Sequence, residues 1–216
     1  MIDLCAKELG GAWFGLAHVG ERVVATAVAS TRERAVRNLR RSIPPDSEYQ
    51  ISEESAFAEK AIHMLRDISV GNEEAKAFVI ADEFIPEPSR RVLRIAAAIP
   101  IGYVASYGGI AKAAGTGPRV VGRIMASNPL YPIVPCHRVV GADFSLVGYG
   151  GSKGPKAQRE KLNRLRKEAR GFSEKMTIAP TGRSLTVYPV EYVIRKAKQQ
   201  RLGDPVQKRL LETTTQ

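Results

Sequence analysis

Cysteine and histidine are both scarce in this chain. Its 216 residues include two cysteines and three histidines. Two cysteines, at Cys5 and Cys136, do not make the disulfide framework of a small secreted domain. A zinc site needs about four ligands, and the cysteines and histidines of the first 85 residues are Cys5, His18 and His63. We therefore predict no metal site, expect a reducing compartment, and interpret His18 and His63 as packing or surface residues.

Long hydrophobic runs are also missing. No stretch approaches the roughly 18 consecutive apolar residues of a membrane helix. Residues 1–5 lack the basic head and the apolar core of a signal peptide. We therefore expect a cytoplasmic protein without a membrane partner.

Acidic residues are in short supply only in the last third of the chain. Residues 151–216 contain 16 Lys or Arg against 6 Asp or Glu, whereas residues 1–150 contain 17 against 16. The formal net charge of +11 therefore lies almost wholly in the last third. Such an asymmetry favours a polyanionic partner, nucleic acid before membrane. A basic tail that only improves solubility is the alternative.

The segment Pro135-Cys136-His137-Arg138 carries the clearest chemical signal. A thiol becomes a strong nucleophile when a neighbour removes its proton, and imidazole is a common acceptor. Adjacent residues on an extended strand point in opposite directions, so a bridging water or a turn must connect Cys136 with His137. A buried structural cysteine in an apolar strand is the alternative. Histidine and arginine are costly to bury unpaired, so their presence favours a reactive thiol.

Patterns in the first 85 residues predict a small α/β unit. Two apolar runs around a Gly20-Glu21 turn predict a β-hairpin, and Thr31 is placed to cap a helix that Pro44-Pro45 ends. The predicted elements are a hairpin over residues 12–29, helices over 32–43 and 53–68, and a strand over 77–80. Nothing in this unit indicates chemistry.

Three helices are predicted after this unit. The first covers residues 89–98 and follows Pro86 and Pro88. In the second, Ser106 can serve as the N-cap and Gly115 as the left-handed stop. Pro118 opens the third, and Asn128-Pro129 ends it.

The third helix carries two arginines, Arg119 and Arg123, one turn apart and on one side. Two short helices joined by a glycine-containing turn, the second of them basic, are typical of a helix-turn-helix that binds DNA. A helical hairpin inside an enzyme domain is the alternative.

Taken in order, these residues resemble the O6-alkylguanine-DNA alkyltransferases, also called methylated-DNA–protein-cysteine methyltransferases. The similarity runs from about residue 86 to residue 172. Residues 1–85 match only in type, and residues 173–216 extend beyond the usual end of the family. The matching elements are, in chain order, Ser106-Tyr107, Arg119, Ser127-Asn128-Pro129, Val134-Pro135-Cys136-His137-Arg138-Val139-Val140, Gly148-Tyr149-Gly150-Gly151, Lys161-Leu162 and Glu168.

The resemblance implies an α+β fold in three parts. Residues 1–85 would form a small α/β, ribonuclease-H-like domain. Residues 86–172 would form a helical domain of the winged helix-turn-helix type that holds both the DNA and the active site. Residues 173–216 would be a basic extension, whose own pattern predicts a strand and then a helix through Arg201. We interpret this extension as an added segment that lengthens the DNA footprint.

The resemblance also implies a reaction that each molecule performs once. Cys136 would take the alkyl group irreversibly from O6 of a guanine, chiefly O6-methylguanine, without a cofactor. His137 would draw the thiol proton through a water, and Glu168 would orient the imidazole. Tyr107 would hydrogen-bond the base and help to neutralise N3 as the guanine leaves.

A base inside a duplex is shielded, so this chemistry requires the guanine to flip out of the stack. By the resemblance, Tyr149 would form a wall of the base pocket. The Gly150 N–H would donate a hydrogen bond to O6. The carbonyls of Val139 and Val140 would accept from the guanine amino group.

The resemblance assigns the DNA contacts to the third helix. Arg119 would enter the stack and pair with the orphaned base, since its planar head can stack and donate several hydrogen bonds. Arg123 and Ser127 would also contact DNA, and Asn128 would tie the end of the helix to the active-site turn. The partner would be double-stranded DNA, bound through its minor groove by a monomer.

Other classes of function remain to be weighed against this one. A non-catalytic protein that recognises alkyl lesions or acts as a regulator would share the helix-turn-helix but leave Cys136 as a spectator or sensor. A cysteine hydrolase would need an oxyanion hole and a pocket for an acyl group. A zinc nucleobase deaminase is excluded, because the sequence lacks both H-x-E and the second cysteine of P-C-x-x-C.

Overall fold

The computed structural model describes residues 1–52, 55–71 and 78–202. In these residues the chain builds two four-stranded sheets, each packed against helices. None of the described helices is long and apolar enough to cross a lipid bilayer.

The first sheet lies in the N-terminal part of the chain. Its strands are β1 (Ile2–Leu9), β2 (Ala12–Val19), β3 (Arg22–Ala29) and β4 (Tyr49–Ile51). They lie in the order β3-β2-β1-β4, with β1 antiparallel to β2 and parallel to β4. The predicted hairpin is confirmed as β2 and β3. β1 was not predicted, because charged side chains such as Lys7 and Glu8 interrupt its apolar pattern.

Two helices, α1 (Arg32–Ser42) and α2 (Ala56–Val70), cover the two faces of this sheet. Thr31 and Ser55 cap them, each accepting a hydrogen bond from the backbone N–H three residues further on. Successive strand residues face opposite sides. Leu4 therefore packs in the cluster of Leu39 on α1, whereas Cys5 packs in the cluster of Leu65 on α2.

Two predicted elements reach into residues that the structure does not describe. The helix predicted over 53–68 is α2, and its first predicted residues, 53 and 54, lie outside the described part. Of the strand predicted over 77–80, residue 77 lies outside it too. Ile80 forms one parallel bridge with Val23 of β3.

The second sheet belongs to the rest of the described chain. Its strands are β5 (Tyr103–Ser106), β6 (Val139–Val140), β7 (Met176–Ile178) and β8 (Leu185–Pro189). The helices around it are α3 (Ser89–Ala97), α4 (Tyr107–Ala114), α5 (Pro118–Ala126), α6 (Pro155–Lys167) and α7 (Val190–Leu202). The strands lie in the order β6-β5-β8-β7, so β5 is paired along both edges.

The caps predicted for the tandem helices are confirmed in α4 and α5. The Oγ of Ser106 accepts a hydrogen bond from the Gly109 N–H at 2.9 Å. Gly115 ends α4 with a φ of 69°, in the left-handed region. Pro118 stands at the start of α5, where its fixed φ suits the first turn.

The C-terminal extension is built into the second sheet. The strand and helix predicted there are confirmed as β8 and α7 up to residue 202. β8 pairs antiparallel with β5, with Val104 opposite Tyr188. Leu185 packs in the same core cluster as α4, whereas Val190 packs with Leu165 of α6. The extension therefore contributes to both faces of the sheet that carries the sequence motifs.

Candidate active site

Cys136 lies on a tight turn, not on a strand. Cys136–Arg138 form one turn of 3₁₀-helix that leads directly into β6. Asn128 ties this turn to the end of α5. Its Nδ2 donates to the Val134 carbonyl at 2.8 Å, and its Oδ1 accepts from the Leu130 N–H at 3.0 Å. The apolar-strand interpretation of this segment is therefore wrong, and the predicted contact of Asn128 with the backbone near Cys136 is present.

The thiol of Cys136 borders a pocket of about 420 Å³ between α5 and the loop after β6. Helices α4 and α5 supply one side of it, and the loop around Tyr149 supplies the other. Six of the predicted site residues line this pocket together: Tyr107, Arg119, Arg123, Cys136, Tyr149 and Gly150. Sequence positions up to 43 residues apart thus converge on one cavity.

Three residues predicted to contact the base or the DNA do not line the pocket. Val139 and Val140 are fully buried in β6. The Val139 carbonyl already accepts a hydrogen bond from Lys161 Nζ at 2.5 Å. The Ser127 hydroxyl turns back to donate to the Arg123 carbonyl at 3.1 Å, as serine often does near a helix end. A role for these three in binding the base or the DNA stays a prediction.

Behind the turn, Glu168 joins two buried side chains. Its Oε1 accepts from His137 Nε2 at 2.8 Å. Arg138 approaches the same carboxylate with two donors, Nε and Nη2, each at 2.9 Å, and its Nη1 donates to the Ile99 carbonyl at 2.7 Å. Glu168 is only 4% exposed, so this network lies almost entirely out of contact with water.

The network fixes the protonation of His137. Burial alone would raise the pKa of Glu168, but hydrogen bonds and charges from His137 and Arg138 lower it to about 2. Burial lowers the pKa of His137, so its ring is neutral at physiological pH. An ionised carboxylate only accepts, so the hydrogen is on Nε2 and the lone pair is on Nδ1. Nδ1 is buried and has no partner among the described residues.

The charge around the Cys136 sulfur comes from α6. Burial raises the pKa of the Cys136 thiol, and the charges of Lys161 and Arg164 with the Asn128 side chain act against that rise. Lys161 is fully buried, and its burial lowers its own pKa to about 8. Its ammonium lies 5.8 Å from the centre of the Tyr107 ring.

Both tyrosines of the pocket keep their protons. Burial raises the pKa of Tyr107 to about 12 and raises that of Tyr149 as well. Tyr149 packs edge-on against Tyr131, with ring centres 6.4 Å apart, and Arg164 lies over the Tyr131 ring. Both hydroxyls are therefore available as hydrogen-bond donors to a ligand.

Three residues that shape the site were not predicted to do so: Arg138, Lys161 and Arg164. Arg138 stands inside the cysteine motif, where its cost of burial was the only signal. Lys161 was part of the resemblance but received no role. The approach of Lys161 and Arg164 to the thiol depends on how α6 packs across the turn, and helical periodicity alone does not reveal it.

The geometry combines a thiol at the wall of an apolar pocket with a neutral imidazole that is held by a carboxylate. Such an arrangement can pass the thiol proton to Nδ1 and leave the sulfur as a nucleophile. Among the described residues, no group of three or more His, Cys, Asp or Glu could hold a metal ion.

Known proteins share this architecture. A family model described as "6-O-methylguanine DNA methyltransferase, DNA binding domain" matches residues 87–169. A methylated-DNA–protein-cysteine methyltransferase of Pyrobaculum aerophilum is 54% identical over 67 residues, which are 31% of this chain and 45% of that protein. The chain spans about half the length of the curated relatives it matches.

Two solved structures align with most of the chain. The O6-methylguanine-DNA methyltransferase of Pyrococcus kodakaraensis covers 79% of this chain, over the whole of its own length, with 26% identity and a TM-score of 0.56. Mycobacterium tuberculosis OGT in complex with DNA covers 77% of this chain and 94% of its own length, with 25% identity and a TM-score of 0.57. The mixed α/β fold is thus that of known alkyltransferases, and residues 87–169 match the DNA-binding domain of the O6-methylguanine DNA methyltransferases.

Proposed function

We propose that this protein repairs DNA by moving an alkyl group from O6 of guanine, chiefly a methyl group, to its own Cys136. One observation carries the proposal: Cys136 lines an apolar pocket beside α5, and next to it in the chain His137 is hydrogen-bonded to Glu168. Each molecule acts once, because the thioether that forms is stable. It acts as a monomer and needs no cofactor.

The reaction is a displacement at the alkyl carbon. The sulfur–carbon bond forms as the carbon–O6 bond breaks. The thiol proton passes through a water to Nδ1 of His137, the atom that holds the lone pair. Tyr107 donates its proton to N3 of the departing guanine and regains one from solvent, while His137 releases to solvent the proton that it took from the thiol. Overall, one proton moves from the thiol to the base. Glu168 keeps the imidazole in the required tautomer.

The base reaches the pocket by leaving the duplex. We assign α4 and α5 to a winged helix-turn-helix that binds double-stranded DNA through the minor groove, and the first sheet to a ribonuclease-H-like domain. Tyr149 and Gly150 would enclose the flipped guanine. Arg123 and Ser127 would hold the DNA, while Asn128 keeps the end of α5 against the active-site turn.

Arg119 is proposed to occupy the gap that the flipped base leaves. It is exposed at the first turn of α5 and lines the mouth of the pocket. Arg119→Ala should slow repair more than it weakens binding to undamaged duplex, because only flipping needs the inserted side chain. Rates of transfer and dissociation constants, measured on the same oligonucleotides, check this. Equal losses in both would contradict the role.

A second function is favoured by one observation. Burial raises the pKa of the Cys136 thiol, so the resting sulfur is protonated and is a weak nucleophile unless a base takes its proton. If the proton stays on the sulfur, the same pocket would hold an alkylated guanine without reacting with it, and the protein would only recognise alkyl lesions.

Mass spectrometry of the intact protein separates the two functions. The protein is incubated with duplex DNA that contains one O6-methylguanine. A gain of about one methylene mass, located at Cys136 by peptide mapping and saturating at one per chain, is expected for transfer. An unchanged mass with the lesion DNA still bound would establish the recognition function instead.

A further inference from the structure

The hairpin turn between β7 and β8, residues 179–184, lies beside the turn that joins α4 to α5. The two turns come near each other at Gly115, the residue that ends α4. A Cβ placed on Gly115 would stand 2.8 Å from Nη1 of Arg183. The hairpin turn therefore brings a basic side chain from the C-terminal extension to the helix-turn-helix.

Packing of β8 holds Arg183 in this position. Leu185, two residues later, is 1% exposed and belongs to the same core cluster as Ile110 of α4. One of its methyl carbons would lie 3.3 Å from a Cβ on Gly109. Since β8 also pairs with β5, the hairpin turn cannot move far from the end of α4 without disrupting the sheet.

A second guanidinium converges on the same place. Nη1 of Arg91, on α3, would lie 3.8 Å from the same Cβ on Gly115. Arg91 is partly neutralised, because it donates to the Ala114 carbonyl at 3.1 Å and approaches Glu87 at 3.9 Å. Arg183 is exposed and makes no hydrogen bond or ion pair with any described residue. Two like charges therefore share this site, and the carboxylate that approaches one of them is that of Glu87.

Capping of α4 does not account for Arg183. A cation near a helix C-terminus is favoured by the helix dipole. At this end the Gly115 N–H already satisfies carbonyls of the last turn, and Arg91 already donates to the Ala114 carbonyl. Lys112 adds a further exposed positive charge in the same turn. The side chain of Arg183 is free to bind an anion from outside.

We propose that Arg183, with Arg91 beside it, binds a phosphate of the DNA backbone next to the turn between α4 and α5. The inference rests on the proposed function, since it takes the DNA to lie along α5. Arginine suits this contact because its planar fork can donate two hydrogen bonds to phosphate oxygens. The hairpin turn would thereby add a backbone contact that orients the duplex without reading its sequence.

Arg195 and Lys196 of α7 do not share this site. They belong to the opposite layer of the second sheet, where α7 packs with α6. Lys196 approaches Asp143 at 3.8 Å, and Arg195 lies over the ring of Tyr192. The whole basic extension was predicted to lengthen the DNA footprint. We assign a contact with the DNA backbone only to its hairpin turn, residues 179–184. Arg195 therefore serves as a matched control within the same extension.

Salt dependence of DNA binding tests the proposal. Dissociation constants of the full chain for an undamaged duplex are measured between 50 and 200 mM salt for wild type, Arg183→Ala and Arg195→Ala. Each phosphate contact adds about 0.9 to the slope of log K against log salt. We expect Arg183→Ala to lower the slope by about this amount, Arg195→Ala to leave it unchanged, and Arg183→Lys to keep most of it. Melting curves confirm that all variants are folded.

Two results would overturn the inference, and they are distinguishable. If wild type binds the duplex and Arg183→Ala has the same slope, or if Arg195→Ala lowers the slope equally, the hairpin contact is wrong while the proposed function stands. If wild type neither binds duplex DNA nor gains mass from an O6-methylguanine duplex, the proposed function fails and the inference falls with it.

Discussion

Two cysteine–histidine pairs in this chain have very different surroundings. In the first sheet, Cys5 Sγ lies 3.9 Å from Nε2 of His18. Next to the second sheet, Cys136 and His137 are neighbours on one turn. All four side chains are buried. Contact between a thiol and an imidazole is therefore not what separates an inert cysteine from a candidate nucleophile.

The two cysteines differ in their access to a pocket and in the charges that surround them. Cys5 lies in the hydrophobic core, and burial together with the negative charge of Asp3 raises its thiol pKa. Cys136 borders a pocket, and two cations on α6, Lys161 and Arg164, oppose the effect of its burial. A carboxylate orients His137, whereas a backbone carbonyl, that of Gly20, holds His18 at 2.7 Å. The nearby pocket, the cations and the hydrogen-bond partner of the histidine therefore set the reactivity of each thiol.

Removing each sulfur in turn gives the sharpest contrast. Cys136→Ala should abolish alkyl transfer while keeping affinity for DNA, because no other described thiol borders the pocket. Cys5→Ala should transfer at the wild-type rate. Intact-protein mass spectrometry measures both. Residual transfer in Cys136→Ala, or loss of transfer in Cys5→Ala, would contradict the assignment of Cys136 as the acceptor and of Cys5 as an inert thiol.

Glu168→Gln tests the carboxylate that only the second pair possesses. The variant leaves the Arg138 charge buried without a counter-ion, and breaking a buried pair costs about 3 kcal/mol or more of the free energy of unfolding. Loss of an oriented base should slow transfer about 100-fold. Denaturation with urea and single-turnover kinetics measure the two effects. Wild-type transfer in a destabilised variant would reduce Glu168 to a structural role.

The contribution of Glu168 to the free energy of unfolding depends on pH. Its pKa is lowered to about 2 in the folded protein, against about 4.3 in an unfolded chain. Its contribution to stability is therefore complete above about pH 4.3 and is lost as the pH falls through 4.3 toward 2. That component of acid unfolding should be missing from Glu168→Gln.

Lys161→Met removes a cation that Cys5 lacks altogether. Loss of this charge should raise the pKa of the Cys136 thiol and slow transfer about tenfold, the effect of one pKa unit.

The pKa of Lys161 is about 8 in the folded protein and about 10.4 in the unfolded chain. Between these values the unfolded chain binds more protons, so wild-type stability should rise with pH and that rise should vanish in Lys161→Met. Urea denaturation at pH 8 and pH 10 checks this, and an unchanged transfer rate would contradict a role for the cation.

The smallest effect is expected at His18. His18→Ala loses the hydrogen bond to Gly20 and the ring contact with Phe57, whose ring centre lies 5.2 Å away. Its free energy of unfolding should fall by about 1 to 3 kcal/mol. Transfer to Cys136 should proceed as in wild type. A slower transfer would mean that the two pairs are coupled through the core they share.

Local signals predicted the helices around the site well. Ser106, Gly115 and Pro118 act through the backbone of their own turn, so their sequence pattern is sufficient. The thiol and its histidine were equally visible, because they are adjacent. Glu168, in contrast, received a role only through the resemblance, since 31 residues separate it from His137.

Contacts between distant segments could not be predicted. Lys161 belongs to a strongly basic helix, and nothing in its neighbours distinguishes it from exposed lysines; its burial follows from how α6 crosses the turn at Cys136. The placement of β8 beside β5 is likewise a tertiary pairing of segments about 80 residues apart. The net charge of residues 151–216 predicted a polyanionic partner but did not indicate that Arg183 and Arg195 belong to different layers of the second sheet.

The pairing of β5 on both edges has a consequence for the order in which the molecule is assembled during synthesis. All four strands of the first sheet lie within residues 1–51, so they can pair with one another while most of the chain is still on the ribosome. The second sheet is complete only after residue 189, because β8 covers the edge of the strand that leads into Tyr107. Until then that edge offers unpaired backbone groups to other chains. The half of the protein that contains Cys136 is thus the last to have its sheet edge covered.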